Sequence, residues 1–112
     1  MNKPKRLGTQ WESEVVAYLR EQIYPEAERR ALAGGTDKGD IINAGPYVWE
    51  CKNTAAIDLA GGIDETFIEI VNAGSAYGFL IVKRRRKSVA KGYAVMELQQ
   101  LVQILKELDA KR

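Results

Sequence analysis

Apolar runs short enough for strands alternate along this chain with longer stretches of helical period, and that interleaving constrains its fold more than any other feature. WESEVVAYLREQI, residues 11 to 23, has apolar side chains at 11, 15, 16, 19 and 23, the spacing of one helix face, with Gly8-Thr9 as its start and Pro25 closing it. AERRALAGG reads as a short strand running into a Gly34-Gly35 turn, with a helical reading also open. DII and YVWECK fit strands joined by Asn43-Ala44-Gly45-Pro46, which predicts a hairpin. IDETFIEIVNAG sets Ile63, Phe67, Ile70 and Val71 on one helical face and ends at Asn72 to Gly74. YGFLIV reads as a buried strand, the basic run after it as a loop or strand extension, and GYAVMEL as another strand. QQLVQILKELDAKR predicts a closing helix with Leu98, Leu101, Val102, Leu105 and Leu108 on one side. The order α-β-β-β-α-β-β-α implies an α/β fold, a mixed central β-sheet flanked by helices.

Length restricts this to one domain, expected over residues 8 to 112 behind a basic arm at 1 to 7, because 112 residues enclose one two-layer core and little else. No apolar run reaches membrane-spanning length and no signal-like segment opens the sequence, so a cytoplasmic location is expected. The chain has one cysteine and no histidine. An internal disulfide is impossible, a zinc site lacks ligands, and serine–histidine or cysteine–histidine chemistry is excluded. Reactions here must run on carboxylates, lysines and a hard, oxygen-bound cation.

Several charges sit where an amphipathic pattern would place apolar residues. Winding the first helix puts Glu12 near the middle of the stripe formed by Trp11, Val15, Val16, Leu19 and Ile23, while Glu14 falls outside it. Such a carboxylate either serves the positive end of the helix dipole and stays wet, or it is paired with a cation. In YVWECK the two-residue period sends Val48, Glu50 and Lys52 to one face and Tyr47, Trp49 and Cys51 to the other. Asp40 opens the preceding strand after a Gly-Gly-Thr-Asp-Lys-Gly loop, which brings its carboxylate beside that of Glu50. Converging carboxylates without histidine form an all-oxygen site suited to Mg²⁺ or Mn²⁺.

An early helical glutamate, then Asp40, then Glu50-x-Lys52 resembles the PD-(D/E)XK nuclease superfamily. Within it, GTQWESEVVAYL and the loop GGTDKGDI are similar to the archaeal-type and phage Holliday junction resolvases. The resemblance covers roughly residues 8 to 83, and Gly39 stands where the family name has proline. It implies a restriction-endonuclease-like fold and a Mg²⁺- or Mn²⁺-dependent endonuclease that hydrolyses phosphodiester bonds in DNA, a Holliday junction resolvase of DNA recombination. It implies that Asp40, Glu50, the Cys51 backbone carbonyl and Glu12 bind the metal and that Lys52 positions the attacking water. Flap, single-strand or duplex cleavage by a phage-type nuclease is the alternative, as is a catalytically silent DNA-binding module.

The net charge of +2 is too small to identify a partner, but its distribution is uneven. KRRRK, Lys83, Arg84, Arg85, Arg86 and Lys87, concentrates like charge that phosphates would neutralise. Lys5 and Arg6 in NKPKR extend the expected DNA contact, with Thr36 and Lys38 in the small-residue loop. Gly-Gly-Thr is, however, more often only a turn. A four-way junction is resolved by two cuts, and one chain carries one set of Glu12, Asp40, Glu50 and Lys52, so a homodimer is expected. The last helix or the second offers the apolar surface for it.

Overall fold

The computed structural model describes residues 3 to 31 and 35 to 112, with side chains from Lys5 onward. Leu32, Ala33 and Gly34 of the expected turn lie outside the described residues, as do Met1 and Asn2. Helix α1 spans Lys3–Gln22, followed by strands β1 (Glu28–Arg29), β2 (Ile41–Ile42) and β3 (Tyr47–Lys52). Helix α2 (Leu59–Ala73) leads to β4 (Tyr77–Val82), a 3-10 turn at Val89–Lys91, β5 (Tyr93–Val95) and α3 (Leu98–Ala110). The protein is a mixed α/β fold. No helix among the described residues is long and apolar enough to cross a membrane.

The strands form two sheets. β3 and β4 pair in parallel, with Glu50 opposite Leu80 and Lys52 opposite Val82, and β5 adds to β4 antiparallel. The helix α2 makes the crossover that parallel neighbours require. β2 pairs antiparallel with β1 in a two-residue ladder, not with β3 as the expected hairpin. The physical reason lies at Asp40. Its amide donates to the Trp49 carbonyl at 2.7 Å, but the next β3 donor, the Cys51 amide, bonds the Asp40 carboxylate at 2.7 Å. A side-chain oxygen thus satisfies a donor that a hairpin carbonyl would have taken.

α1 packs Trp11, Val15, Val16 and Leu19 against one sheet face, where Cys51 and Ala27 complete the cluster. The Trp11 indole N–H bonds the Ile81 carbonyl at 3.1 Å, tying α1 to β4. Two expectations need correction. α1 begins at Lys3, so the described part of the expected basic arm is helical, and Ile23 lies past the helix end, exposed.

α2 covers the other face. Asp58 caps it through a bond from the Gly61 amide at 2.9 Å, a contact worth about 1 kcal/mol, and Gly74 ends it in the left-handed region. The face that meets the sheet is Gly62, Thr66 and Glu69, offset by one residue from the expected Ile63, Phe67, Ile70 stripe. Close approach selects it: a Cβ on Gly62 would stand 2.8 Å from Leu80 Cδ2. Phe67 and Val71 are left in solvent.

α3 keeps its apolar row outside the core. None of its residues is buried, and Leu98, Leu101, Val102, Leu105 and Leu108 are all exposed. Polar bonds hold it to β4: Gln100 brackets Gly78, donating to its carbonyl at 2.8 Å and accepting from its amide at 3.3 Å, while Tyr77 donates to Glu107 at 2.7 Å.

Candidate functional site

Glu50 is 3% exposed on the α2 side of β3, as the two-residue alternation requires, with its carboxyl in hydrogen-bonding contact with that of Asp40. Burial, and then Asp40, push its pKa up to about 12. Cys51 faces the opposite side, inside the α1 cluster, and burial raises its thiol well above the ordinary range. Glu12 is half-buried; burial and the nearby Asp40 charge raise its pKa, against an ion pair with Arg29 at 3.1 Å. Lys52 lies 3.0 Å from Glu65 and 3.7 Å from Glu50. Burial works to discharge Lys52, but Glu65 and Glu50 overcome it and hold the ammonium above its usual pKa. Glu12, Asp40, Glu50 and Lys52 therefore share one neighbourhood.

Three acidic residues of this neighbourhood escaped the sequence reading. Oxygens of Asp37, Glu50, Glu65 and Glu69 lie within 4.8 Å of one another, a cluster that could hold a metal ion. Glu65 and Glu69 are one helical turn apart on α2. Asp37 stands in the loop before β2, accepting from the Gly39 amide at 3.0 Å, and its carbonyl accepts from the Asn72 side chain at 2.8 Å. Burial, and then Asp37, raise the Glu69 pKa to about 8, while contact with Glu69 lowers that of Asp37. Contact with Glu50 lowers that of Glu65. Asp40 and Glu12 are not among these four.

The sequence signal for Glu69 was the small-residue row Gly62, Thr66, Glu69, hidden by the stronger apolar row beside it. A metal fits the donor set. The ligands are all carboxylate oxygens, suited to hard cations, and both buried oxygens of Glu69 lack a hydrogen-bond partner.

Compared with family models, curated proteins and solved structures, the chain matches none.

The basic run begins directly beside this centre, because the Lys83 amide bonds the Lys52 carbonyl at 3.1 Å. It forms the β4–β5 loop, with Arg86 in the left-handed region. Its cations differ in commitment. Lys83 binds Glu14 at 3.0 Å and lies over the Trp11 ring, and Arg84 lies over Tyr93. Arg85, Arg86 and Lys87 are exposed, as are Thr36 and Lys38 in the loop bearing Asp37. Lys5 and Arg6 are exposed in the first turns of α1, near the β3 end that Asn53 ties to the Leu7 carbonyl.

Proposed function

We propose that the chain is a metal-dependent DNA endonuclease of restriction-endonuclease-like fold, acting on branched DNA as a Holliday junction resolvase. The observation that carries this reading is the convergence of Asp40, Glu50, Glu12 and Lys52 around the end of β3, in the pattern of the PD-(D/E)XK nucleases. The basic loop starting one bond from Lys52 supports DNA as the substrate.

Asp40, Glu50, the Cys51 carbonyl and Glu12 would hold Mg²⁺ or Mn²⁺. When bound, such an ion supplies a Lewis acid at the scissile phosphate and a lowered pKa for a water nucleophile. Lys52 remains an ammonium at neutral pH, which makes it a donor that orients the water and stabilises phosphoryl charge, and not the general base. Arg85, Arg86 and Lys87 would hold the flanking phosphates, with Thr36 and Lys38, exposed in the loop bearing Asp37, as further contacts.

The test is incubation of labelled four-way junction, flap and linear duplex with the protein, with and without Mg²⁺. Junction cleavage that requires the ion and disappears in Asp40→Asn and Glu50→Gln, with DNA binding retained, is the expected result. Full activity in excess chelator would overturn it, and cleavage confined to flaps or duplex would replace the substrate.

A further inference from the structure

Among the described residues, Glu69 is the one buried carboxylate that the Asp40–Glu50–Lys52 arrangement does not use. Its residue is 0% exposed, and neither carboxylate oxygen meets a hydrogen-bond donor. A charged carboxylate left there without a cation would be among the costliest arrangements a fold can contain, so the site holds either a shared proton or an ion. No ion pair among the described residues reaches it: Lys52 is divided between Glu65 and Glu50, and the Arg30 guanidinium bonds the Gly39 carbonyl. What surrounds Glu69 is further oxygen, from Asp37, Glu50 and Glu65.

We propose that Glu69 is a cation ligand, and that a hard divalent ion is bound between α2, β3 and the loop before β2 by Glu69, Glu50, Glu65 and Asp37. This position differs from the Asp40 side of the centre and shares only Glu50 with it. One oxygen of the Asp40 carboxylate accepts from the Cys51 amide at 2.7 Å, and Asp40 is not one of the four clustered residues.

Spacing supports an ion at the middle of the four. Metal–oxygen distances of about 2.1 Å for Mg²⁺ and about 2.4 Å for Ca²⁺ put oxygens across a coordination sphere roughly 4.2 and 4.8 Å apart. The four oxygens lie within 4.8 Å of one another, so an ion among them reaches bonding distance after small side-chain adjustments. Three separate segments supply the ligands, so the ion would cross-link the loop and α2 to the sheet. The inference concerns ion binding alone and stands whether or not the chain cleaves DNA.

The experiment is calorimetric titration of the metal-stripped full chain with Mn²⁺ at pH 8, with melting curves in Mg²⁺, Mn²⁺ and Ca²⁺. Wild type binds Mn²⁺ and gains melting temperature. Asp40→Asn retains at least one bound ion, which separates this site from the nuclease reading. Glu69→Gln, with an unchanged circular dichroism spectrum, loses affinity on the order of tenfold or more, since even residues that only support a metal ligand cost that much. Should Glu69→Gln fail to fold, the double variant Asp37→Asn, Glu65→Gln on the more accessible side must show the same loss. Wild type that binds no Mn²⁺ would mean that shared protons alone hold these carboxyls together. That result, or a folded Glu69 or double variant with wild-type affinity, overturns the proposal.

Discussion

The Lys52 ammonium stands closer to Glu65 of α2, at 3.0 Å, than to Glu50, its neighbour on the same strand, at 3.7 Å. The helix therefore aims the lysine. Lys52→Ala should lower single-turnover cleavage on the order of 100-fold or more, as expected for a group that orients a nucleophile, while leaving Mn²⁺ affinity within a few-fold of wild type. Parallel loss of ion binding would assign Lys52 to holding the carboxylates together instead.

Glu12 and Glu14 separate function from surface pairing. Glu12 faces Asp40 and Arg29, whereas Glu14 holds Lys83. Glu12→Gln should reduce cleavage by about tenfold or more and Glu14→Gln by less than about twofold, because an isolated partly exposed ion pair contributes little. Equal rates for the two variants would remove Glu12 from the centre.

The basic loop is tested by salt. Replacing Arg84, Arg85 and Arg86 with alanine should weaken binding to all DNA sequences alike and flatten the dependence of log affinity on log salt, by roughly one unit per lost phosphate contact. Fluorescence anisotropy across a salt series measures this. A slope equal to wild type would make the loop a solvated surface.

The acidic cluster gives stability a pH dependence of known sign. Glu50 and Glu69 have folded-state pKa values above the ordinary 4.5, at about 12 and about 8, so the fold favours their protonated forms. Their contribution is complete below about pH 4.5, and the Glu69 share is lost as pH rises through about 8. Metal-stripped protein should therefore melt lower at pH 9 than at pH 6, by on the order of 5 °C for a domain of this size. Mn²⁺ should reverse the fall. Asp37 and Glu65 are shifted downward, so their contribution is lost in acid. A melting temperature that is flat or rising from pH 6 to 9 would show that the two raised carboxyls are not titrating as a buried pair.

Phe67 and Val71 of α2 and the leucines of α3 leave two exposed apolar rows, more than the small sheet covers. Two copies of the chain meeting there would also supply the two cutting sites that a four-way junction needs. Sedimentation at micromolar concentration should give twice the 12.5 kDa chain mass. Leu101→Asp with Leu105→Asp should return it to one. A wild-type chain that stays monomeric both free and on DNA would favour flap or duplex cleavage.

The centre was legible in the sequence where strand alternation governs it. A period of two is rigid, so Glu50 and Lys52 had to share a face and Cys51 had to leave it. The helical stripe located Glu12 for the same reason. Helix α2 was misread because hydrophobicity and closeness of approach compete there. The apolar row Ile63, Phe67, Ile70 is stronger in the sequence, but the small row Gly62 and Thr66 lets the backbone near Leu80, and Glu69 follows it inward. The β2–β3 hairpin failed on a contact no pattern announces, a carboxylate standing in for a backbone carbonyl.

Asp40 grips β3 at two points, its amide on the Trp49 carbonyl and its carboxylate on the Cys51 amide. A slip of this segment by one residue would break both bonds and turn the alternating side chains to the wrong face. The same residue thus proofreads the alignment of the strand and contributes to the chemistry proposed at its end. A chain assembled out of register would separate the Asp40 and Glu50 carboxylates, so the proposed centre comes into being only once its strands are correctly set.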